Sequence, residues 1–152
     1  MAQLYEQLKL ENQLCFPLYA CAKEIVRRYQ PSLEPLDLTY TQYLVMMALW
    51  QYEEQTVKEL GQRLWLDSGT LTPVLKKLEA KGYVSRRRSA MDERSVVIAV
   101  TEQGNELCHR AAQVPAEVGD CVKLSPEEAA QLHTLLYRLL AGMEEESHGT
   151  QK

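Results

Sequence analysis

The apolar positions of this chain recur with a helical period over most of its length, and one short basic segment near the middle is the exception. Apolar spacings of three and four residues predict amphipathic helices. The predicted helical ranges are about 12–30, 40–53, 57–64, 68–81, 102–112, part of 114–124, and 126–145. Two strand-like runs, Tyr83–Arg88 and Arg94–Thr101, flank the polar turn Ser89–Glu93 and predict a β-hairpin. We therefore predict a fold that is mainly α with a small β wing.

Several predicted helices carry recognisable boundary residues. A capping box pairs a Ser or Thr with a Glu or Gln three residues later, so that each side chain satisfies a backbone amide. Thr101 is predicted to cap the helix after the hairpin, and Pro31 and Pro35 are predicted to end the first helix. The predicted capping boxes are Thr39–Gln42, Thr56–Glu59 and Ser125–Glu128.

The centre of the chain has a helix-turn-helix layout, because only Trp65 and Leu66 separate helix 57–64 from the helix that begins near Ser68. The second helix of such a unit enters the major groove with its N-terminal residues nearest to the bases. Hydroxyls and lysines on that helix, and arginines on the hairpin, suit contacts with bases and phosphates. The predicted DNA-contacting residues are Ser68, Thr70, Thr72, Lys76, Lys77, Arg86, Arg87, Arg88, Asp92 and Arg94.

The distribution of charge along the chain supports DNA binding better than the net charge does. The whole chain has a formal net charge of −4. The window from Lys76 to Arg94 nevertheless holds seven basic residues against Glu79, Asp92 and Glu93, so it carries +4. For nucleic-acid binding the distribution of charge matters more than its sum. Together the layout and the charge predict a winged helix-turn-helix that binds double-stranded DNA.

Within the hairpin, side chains that alternate along a strand set the expected orientation of the arginines. Arg86 and Arg88 are expected on one face and Arg87 on the other. Near the tip, Asp92 is expected to orient Arg94 by a charge-assisted hydrogen bond. Arg94 would then reach into a narrow minor groove, where the negative potential is highest. The alternative is a surface ion pair that contributes little.

The last predicted helix has an apolar stripe that needs a partner. Leu132, Leu135, Leu136, Leu139 and Leu140 repeat at helical spacing. Packing within the same domain is one possibility, and we favour a homodimer in which the first and last helices pair with their copies around a two-fold axis. A two-fold dimer of helix-turn-helix units reads a pseudo-palindromic operator.

Composition restricts the class of protein further. A length of 152 residues predicts one domain with a real core. The longest apolar run, Tyr43–Trp50, is far too short to cross a bilayer, and the N-terminus lacks a signal-peptide pattern. Four cysteines at irregular spacing indicate a reducing, cytoplasmic location. Neither metal-ligand spacing nor a glycine-rich phosphate loop is recognisable, so we expect no metal and no cofactor.

Three blocks of the chain resemble, in the same order, the OhrR branch of the MarR family of dimeric winged-helix regulators, which senses organic hydroperoxides. The resemblance covers nearly the whole chain and implies a single MarR-type domain over 1–152. It implies dimerisation helices within 1–36 and 102–147 and a DNA-binding region of about 37–101. The matching blocks are LENQLCFPLYA (Leu10–Ala20), DLTYTQYLVMMALW (Asp37–Trp50) and LDSGTLTPVLKKLE (Leu66–Glu79).

The resemblance also implies a mechanism. Cys15 occupies the place of the family's peroxide-sensing cysteine, near the start of the first helix. Tyr29 and Tyr40 match tyrosines that hydrogen-bond the sensor thiol across the dimer. The chain would then be a repressor that leaves its operator when organic hydroperoxide oxidises Cys15.

The residues around Cys15 suit that chemistry independently, although less specifically. A reactive thiol must be partly thiolate, and both a helix N-terminus and phenolic donors stabilise an anion. Free cysteines are, however, more often inert buried residues. Apolar neighbours could form a slot for the organic part of a hydroperoxide. They are Phe16, Leu18, Tyr19, Met46, Met47 and Trp50.

The remaining cysteines leave the next step open. In the family, one-cysteine members cap the sulfenic acid with a small thiol, whereas two-cysteine members use a resolving cysteine of the partner subunit. Cys121 lies in the corresponding segment before the last helix and is the preferred candidate. Cys21 is six residues from Cys15, on a different helix face and out of disulfide reach. We interpret Cys21 and Cys108 as packing residues.

Two other functions remain possible from the sequence. One is a MarR-type regulator that a bound phenolic ligand releases from DNA, with the cysteines incidental. The other is a thiol peroxidase using Cys15, which the sequence supports poorly because the chain has no CxxC motif. We therefore do not expect an enzyme.

Overall fold

Helices form most of the chain, as the periodicity predicts. The structure is a computed structural model that describes residues 5–149, with side chains through Glu144. These residues form two compact units, one extending to Val118 and the other beginning at Gly119. The helices are α1 Cys15–Leu33, α2 Tyr40–Tyr52, α3 Val57–Leu64, α4 Ser68–Ala80, α5 Glu102–Ala111, α6 Val114–Gly119 and α7 Pro126–Gly149. The strands are β1 Glu54–Thr56, β2 Val84–Arg88 and β3 Val96–Val100.

A three-stranded antiparallel sheet in the order β1-β3-β2 forms the wing. The predicted hairpin is confirmed as β2 and β3, with Arg86 opposite Ile98. β1 was not predicted, because its three residues have no alternating apolar pattern. It exists through its pairing with β3, where Gln55 faces Ile98. The predicted fold class, mainly α with a small β wing, is confirmed.

The predicted helix boundaries are mostly confirmed. All three capping boxes form, and the Thr101 hydroxyl accepts from the Gly104 amide at 3.0 Å. The prediction that Pro31 ends the first helix is wrong: α1 continues to Leu33. Pro31 lies in the last turn, where its missing N–H costs a single helical hydrogen bond. The Glu34 amide still donates to the Gln30 carbonyl, and a short 3-10 turn, Glu34–Leu36, follows.

α2 is the central helix of the first unit, as its apolar run predicts. Val45, Met46 and Leu49 are completely buried among leucines of α3 and α4 and residues of the sheet and α5. At the far end of α2, the Trp50 indole N–H donates to the Gly104 carbonyl at 2.9 Å. A Cβ at Gly104 would lie 2.2 Å from the Tyr83 carbonyl oxygen, so only glycine lets α5 approach the wing this closely. α2 therefore anchors both the recognition region and α5.

The second unit consists of a turn and α7. Hydrogen bonds within residues 119–124 form the turn, and the Ser125 capping box starts the helix. Apolar side chains of α7, including Leu132, Leu135 and Leu139, are largely exposed. The prediction of one domain over 1–152 stays a prediction. Nothing among the helices of residues 5–149 is long and apolar enough to cross a membrane.

Candidate DNA interface and thiol site

α4 presents a polar and basic face to solvent while its other face is in the core. Leu71, Leu75 and Leu78 are completely or almost completely buried, and this burial fixes the rotation of the helix. Because the remaining positions must then face outward, the predicted contact residues lie together on the accessible side. Ser68, Thr70, Lys76 and Lys77 are exposed and Thr72 is half-buried.

The start of α4 is held by Asp67, a residue that the sequence analysis overlooked. Its carboxylate accepts from the Thr70 amide at 2.8 Å and from the Thr70 hydroxyl at 3.2 Å. These two hydrogen bonds hold the pKa of the Asp67 carboxyl below its usual value. With its hydroxyl proton donated to Asp67, Thr70 offers a base its oxygen lone pairs and its methyl group.

Two wing arginines form ion pairs on opposite sides of β2, which confirms the predicted alternation. Arg86 is half-buried and pairs with Glu79 of α4 at 3.6 Å. Arg87 reaches across β3 to Glu54 of β1 at 2.6 Å. Within the part of the chain that the structure describes, neither Arg88 nor Arg94 belongs to an ion pair, and both are exposed. Arg88 and Arg94 are therefore the arginines most available to a phosphate.

Asp92 organises the wing tip, but not in the predicted way. Its carboxylate accepts from the Ser95 hydroxyl at 2.7 Å and from the Arg94 backbone amide at 3.0 Å. These hydrogen bonds lower the pKa of the Asp92 carboxyl, the hydroxyl having the larger effect. The predicted bond to the Arg94 guanidinium is wrong, because the short turn brings the main chain rather than the long side chain to the carboxylate. Asp92 thus shapes the turn and leaves the guanidinium free.

Cys15 is the first residue of α1 and its side chain is exposed. The preceding segment is held in place by side-chain hydrogen bonds. The Asn12 amide donates to the Glu6 carbonyl at 2.9 Å, and the Gln13 amide donates to the Lys9 carbonyl at 3.3 Å. The thiol therefore lies at the N-terminal end of α1, which is the positive end of the helix dipole. Within one chain, Cys15 is therefore not a buried packing residue.

The two predicted sensor tyrosines lie together, but far from Cys15 of the same chain. The rings of Tyr29 and Tyr40 have centroids 4.8 Å apart. Cys15 and Tyr29 are fourteen residues apart on α1, so at 1.5 Å per residue their Cα atoms are separated by about 21 Å. No side chain spans that distance. A hydrogen bond between the Cys15 thiol and either tyrosine must therefore join two copies of the chain.

Tyr40 is held as a neutral phenol. Burial raises its pKa, and the neighbouring Tyr29 raises it further. Burial raises the pKa of Tyr43, and the neighbouring Tyr29 and Tyr40 raise it further. The ring of Tyr43 lies 6.0 Å from that of Tyr29. A phenol that keeps its proton can donate a hydrogen bond to a sulfur anion.

The residues predicted to form the peroxide pocket have different environments within one chain. Phe16 and Tyr19 lie on the exposed part of α1, with 43% and 64% of their surface accessible. Met46 is completely buried in the core. Met47 and Trp50 are half-buried, and Trp50 is fixed by its bond to α5. Their assignment to one pocket stays a prediction, which needs the side chains of a second copy around Phe16 and Tyr19.

The other cysteines divide into exposed and half-buried residues. Cys121 is exposed in the turn before α7, where the Val122 amide donates to the Gly119 carbonyl at 3.0 Å. Cys108 on α5 is half-buried, in agreement with packing. Cys21 on α1 is exposed within the chain, so its interpretation as a packing residue stays a prediction that needs a second copy. No group of three His, Cys, Asp or Glu among the described residues could hold a metal.

Four further residues position the DNA-facing surface and were not predicted. An Asp directly before a helix is a common N-cap, so the sequence carried a signal for Asp67. Partners distant in sequence carry no such signal: Glu54 lies 33 residues from Arg87, and Lys81 lies 44 residues from Asp37. The unpredicted positioning residues are Glu54, Asp67, Glu79 and Lys81.

A helix-turn-helix followed by a basic wing is the architecture of a winged-helix DNA-binding regulator. Known structures agree. Reduced AbfR bound to DNA superimposes with a TM-score of 0.76 at 33% identity, covering 92% of this chain and 96% of that one. AbfR is a protein of Staphylococcus epidermidis. Its disulfide-formed structure gives a TM-score of 0.62 at 36% identity, covering 89% and 95%. A mutant MarR of Escherichia coli complexed with operator DNA gives a TM-score of 0.77 at 29% identity, covering 84% and 93%.

Sequence comparison gives the same assignment. The model of a family described as transcriptional regulator SarA/Rot matches residues 27–111. The organic hydroperoxide resistance transcriptional regulator of Bacillus subtilis is 47% identical over 140 residues, which cover 92% of this chain and 95% of that protein. This chain belongs to the MarR family of winged-helix transcriptional regulators, in its OhrR-like branch. The resemblance seen in its sequence blocks is confirmed.

We expect Tyr40 of the folded protein to lose its proton above the ordinary tyrosine value of about 10, because burial disfavours the phenolate. The pKa of Tyr40 is then higher in the folded than in the unfolded protein. Its contribution to folding stability is fully present below the unfolded-state pKa and is lost as the pH rises through the folded-state pKa. Ultraviolet titration of the wild type and of Tyr40→Phe would isolate this phenol by difference. A difference transition at or below the ordinary value would contradict the burial argument.

Proposed function

We propose that this protein is a homodimeric transcriptional repressor that binds operator DNA while Cys15 is reduced and releases it when an organic hydroperoxide oxidises Cys15. The observation that carries the proposal is an exposed thiol at the start of α1, in a chain whose α4 and wing form a winged helix-turn-helix. The name of the Bacillus subtilis relative supports the hydroperoxide signal. The reduced, DNA-bound AbfR structure supports DNA binding in the reduced state.

A dimer accounts for the unusual exposure of two helices. Nearly every side chain of α1 from Cys15 to Arg28 is exposed in the single chain, including Phe16, Leu18 and Ile25. Leu132, Leu135 and Leu139 of the α7 stripe are exposed as well. Apolar surface of this extent on helices of a protein usually marks an interface. Pairing of α1 with a second copy would also supply the tyrosines that Cys15 cannot reach in its own chain.

We propose that α4 contacts bases in the major groove through Ser68, Thr70 and Thr72, and that the wing contacts flanking DNA. The two α4 helices of a dimer would lie about one helical turn of DNA apart, which suits a pseudo-palindromic operator. Phosphate contacts come from lysines and arginines that are not already paired. Those residues are Lys76, Lys77, Arg88 and Arg94, whereas Arg86 and Arg87 first hold the wing together and contribute less.

The oxidation has a defined course. The Cys15 thiolate attacks the outer oxygen of the hydroperoxide, the O–O bond breaks, and the organic part leaves as an alcohol after taking up a proton. The sulfur is oxidised to a sulfenic acid and the hydroperoxide is reduced. The thiolate of Cys121 from the partner subunit then attacks that sulfur, and water leaves as the disulfide forms. The disulfide-formed AbfR structure supports this second step.

Release of DNA follows from geometry. Oxidation replaces the sulfur anion with a neutral sulfenic acid, which is a weaker acceptor for the phenolic hydrogen bonds. A new disulfide then changes the spacing of the two α4 helices. Each base contact that is lost costs about 1–3 kcal/mol, so a small displacement is enough.

We propose a regulator and not an enzyme, acting in the bacterial cytoplasm, where operator DNA is found.

We expect Arg88→Gln to reduce the salt dependence of operator binding more than Arg87→Gln does. Each phosphate contact contributes about 0.9 to the slope of log K against log salt, and Arg88 is free while Arg87 is paired with Glu54. The measurement is fluorescence anisotropy of labelled operator at several salt concentrations, with the two variants as matched controls. Equal changes of slope would show that the ion pair with Glu54 does not limit Arg87.

We expect Cys15→Ser protein to bind operator as the reduced wild type does and to remain bound after treatment with cumene hydroperoxide, because the oxidisable sulfur is absent. Gel-shift titrations with and without the oxidant measure this. Cys108→Ser is the control and should release DNA like the wild type. If the Cys15→Ser protein still releases DNA on oxidation, Cys15 is not the sensor.

The resolving step has its own test. Oxidised wild-type protein should run as a cross-linked dimer on non-reducing gels, and Cys121→Ser should remove that band while leaving sulfenic acid formation on Cys15 intact. Cys21→Ser serves as the control, since Cys21 is also exposed. A cross-linked dimer that persists in the Cys121→Ser protein would exclude Cys121 as the resolving cysteine.

A further inference from the structure

We propose that Lys81 is a positioning residue that couples the sensor tyrosine Tyr40 to the recognition helix α4. The inference rests on the proposed function and adds to it the physical connection between the thiol site and the DNA-facing helix. Lys81 directly follows the last residue of α4, and Tyr40 is the first residue of α2. The two residues are joined by the short segment Asp37–Thr39.

Lys81 contacts two oxygen atoms of that segment and a third oxygen on α2. Its ammonium group donates to the backbone carbonyl of Asp37 and lies 3.2 Å from the Asp37 carboxylate. It also donates to the side-chain carbonyl oxygen of Gln42 at 3.2 Å. Only 26% of the Lys81 side chain is accessible. Three acceptors around one ammonium group use all of its donors and leave it little freedom.

Gln42 connects these contacts to Tyr40. The oxygen that accepts from Lys81 also accepts from the Thr39 amide at 3.1 Å, as one half of the capping box of α2. In the other half, the backbone amide of Gln42 donates to the Thr39 hydroxyl. Tyr40 lies inside this box, between Thr39 and Gln42. A displacement of Tyr40 therefore disturbs the capping box and, with it, an acceptor of Lys81.

The backbone of the segment leaves few alternatives. Asp37 has a φ of 52°, in the left-handed region that non-glycine residues seldom occupy. Its conformation is held by its amide donating to the Glu34 carbonyl at 3.0 Å and by the bond from Lys81 to its carbonyl. Such a conformation persists where the surroundings impose it. Asp37 is thus held from the α1 side and from the α4 side at once.

Tyr40 and Lys81 also line the same open cleft of about 600 Å³ beside α1. A group that enters or leaves this cleft next to Tyr40 changes the surroundings of Lys81 as well. None of the three contacts of Lys81 includes a predicted DNA-contacting residue. Lys81 therefore has the position of a coupling element and not of a phosphate ligand.

The test compares operator affinity before and after oxidation by cumene hydroperoxide in the wild type and in Lys81→Met. We expect the ratio of the two dissociation constants to be about five- to tenfold smaller in Lys81→Met, within the usual range of coupling between sites. The rate of sulfenic acid formation at Cys15 should be unchanged. Lys81→Arg, which keeps the charge and the donors, should restore the ratio.

Two controls separate coupling from charge and from the underlying function. Lys123→Met removes one positive charge in the other unit and should keep the wild-type ratio. Asp37→Asn keeps the carbonyl and tolerates the left-handed backbone, so its ratio should fall between those of the wild type and Lys81→Met. If the wild type responds to oxidation and Lys81→Met has the same ratio of dissociation constants, the role of Lys81 is overturned while the proposed function stands. A wild type that does not respond to oxidation would overturn the proposed function as well.

Discussion

The length of α1 is the constraint on which the site depends. Cys15 is the first residue of this helix and Tyr29 lies near its end, so the rise of the helix keeps their Cα atoms about 21 Å apart in one chain. The thiol and the phenols of a single protomer therefore cannot meet at one site. In the proposed homodimer, the partner subunit would complete the thiol site as well as the DNA-reading surface. Pairing of α1 in the proposed homodimer also accounts for the apolar surface that this helix exposes.

A second theme is that a chain with a net negative charge can bind DNA through a small, well-held basic region. The acidic residues near this region do not simply cancel it. Glu54 and Glu79 hold two wing arginines in place across the sheet and against α4, and Asp67 and Asp92 hold the backbone at the start of α4 and at the wing tip. Carboxylates in this protein act mainly as local supports, which leaves selected cations free for phosphate.

α2 links these regions mechanically. Its first residue is Tyr40, its middle is completely buried, and the indole of Trp50 near its end is bonded to α5. A close-packed helix of this kind moves as a body because its side chains have no free space around them. A change in hydrogen bonding at Tyr40 is therefore carried to the capping segment and to the residues that contact it. Oxidation of one sulfur can in this way reach a surface that reads DNA.

The sequence by itself determined the features that depend on neighbours along the chain. The capping boxes at Thr39, Thr56 and Ser125, the exact span of α3 and the alternation of Arg86 and Arg87 are local, because each is set by residues within a few positions. Tertiary structure alone decided the rest. β1 exists because β3 pairs with it. The partners of Arg87 and Lys81 are 33 and 44 residues distant. A local pattern carries no record of such contacts, since they arise only when the folded chain brings distant segments together.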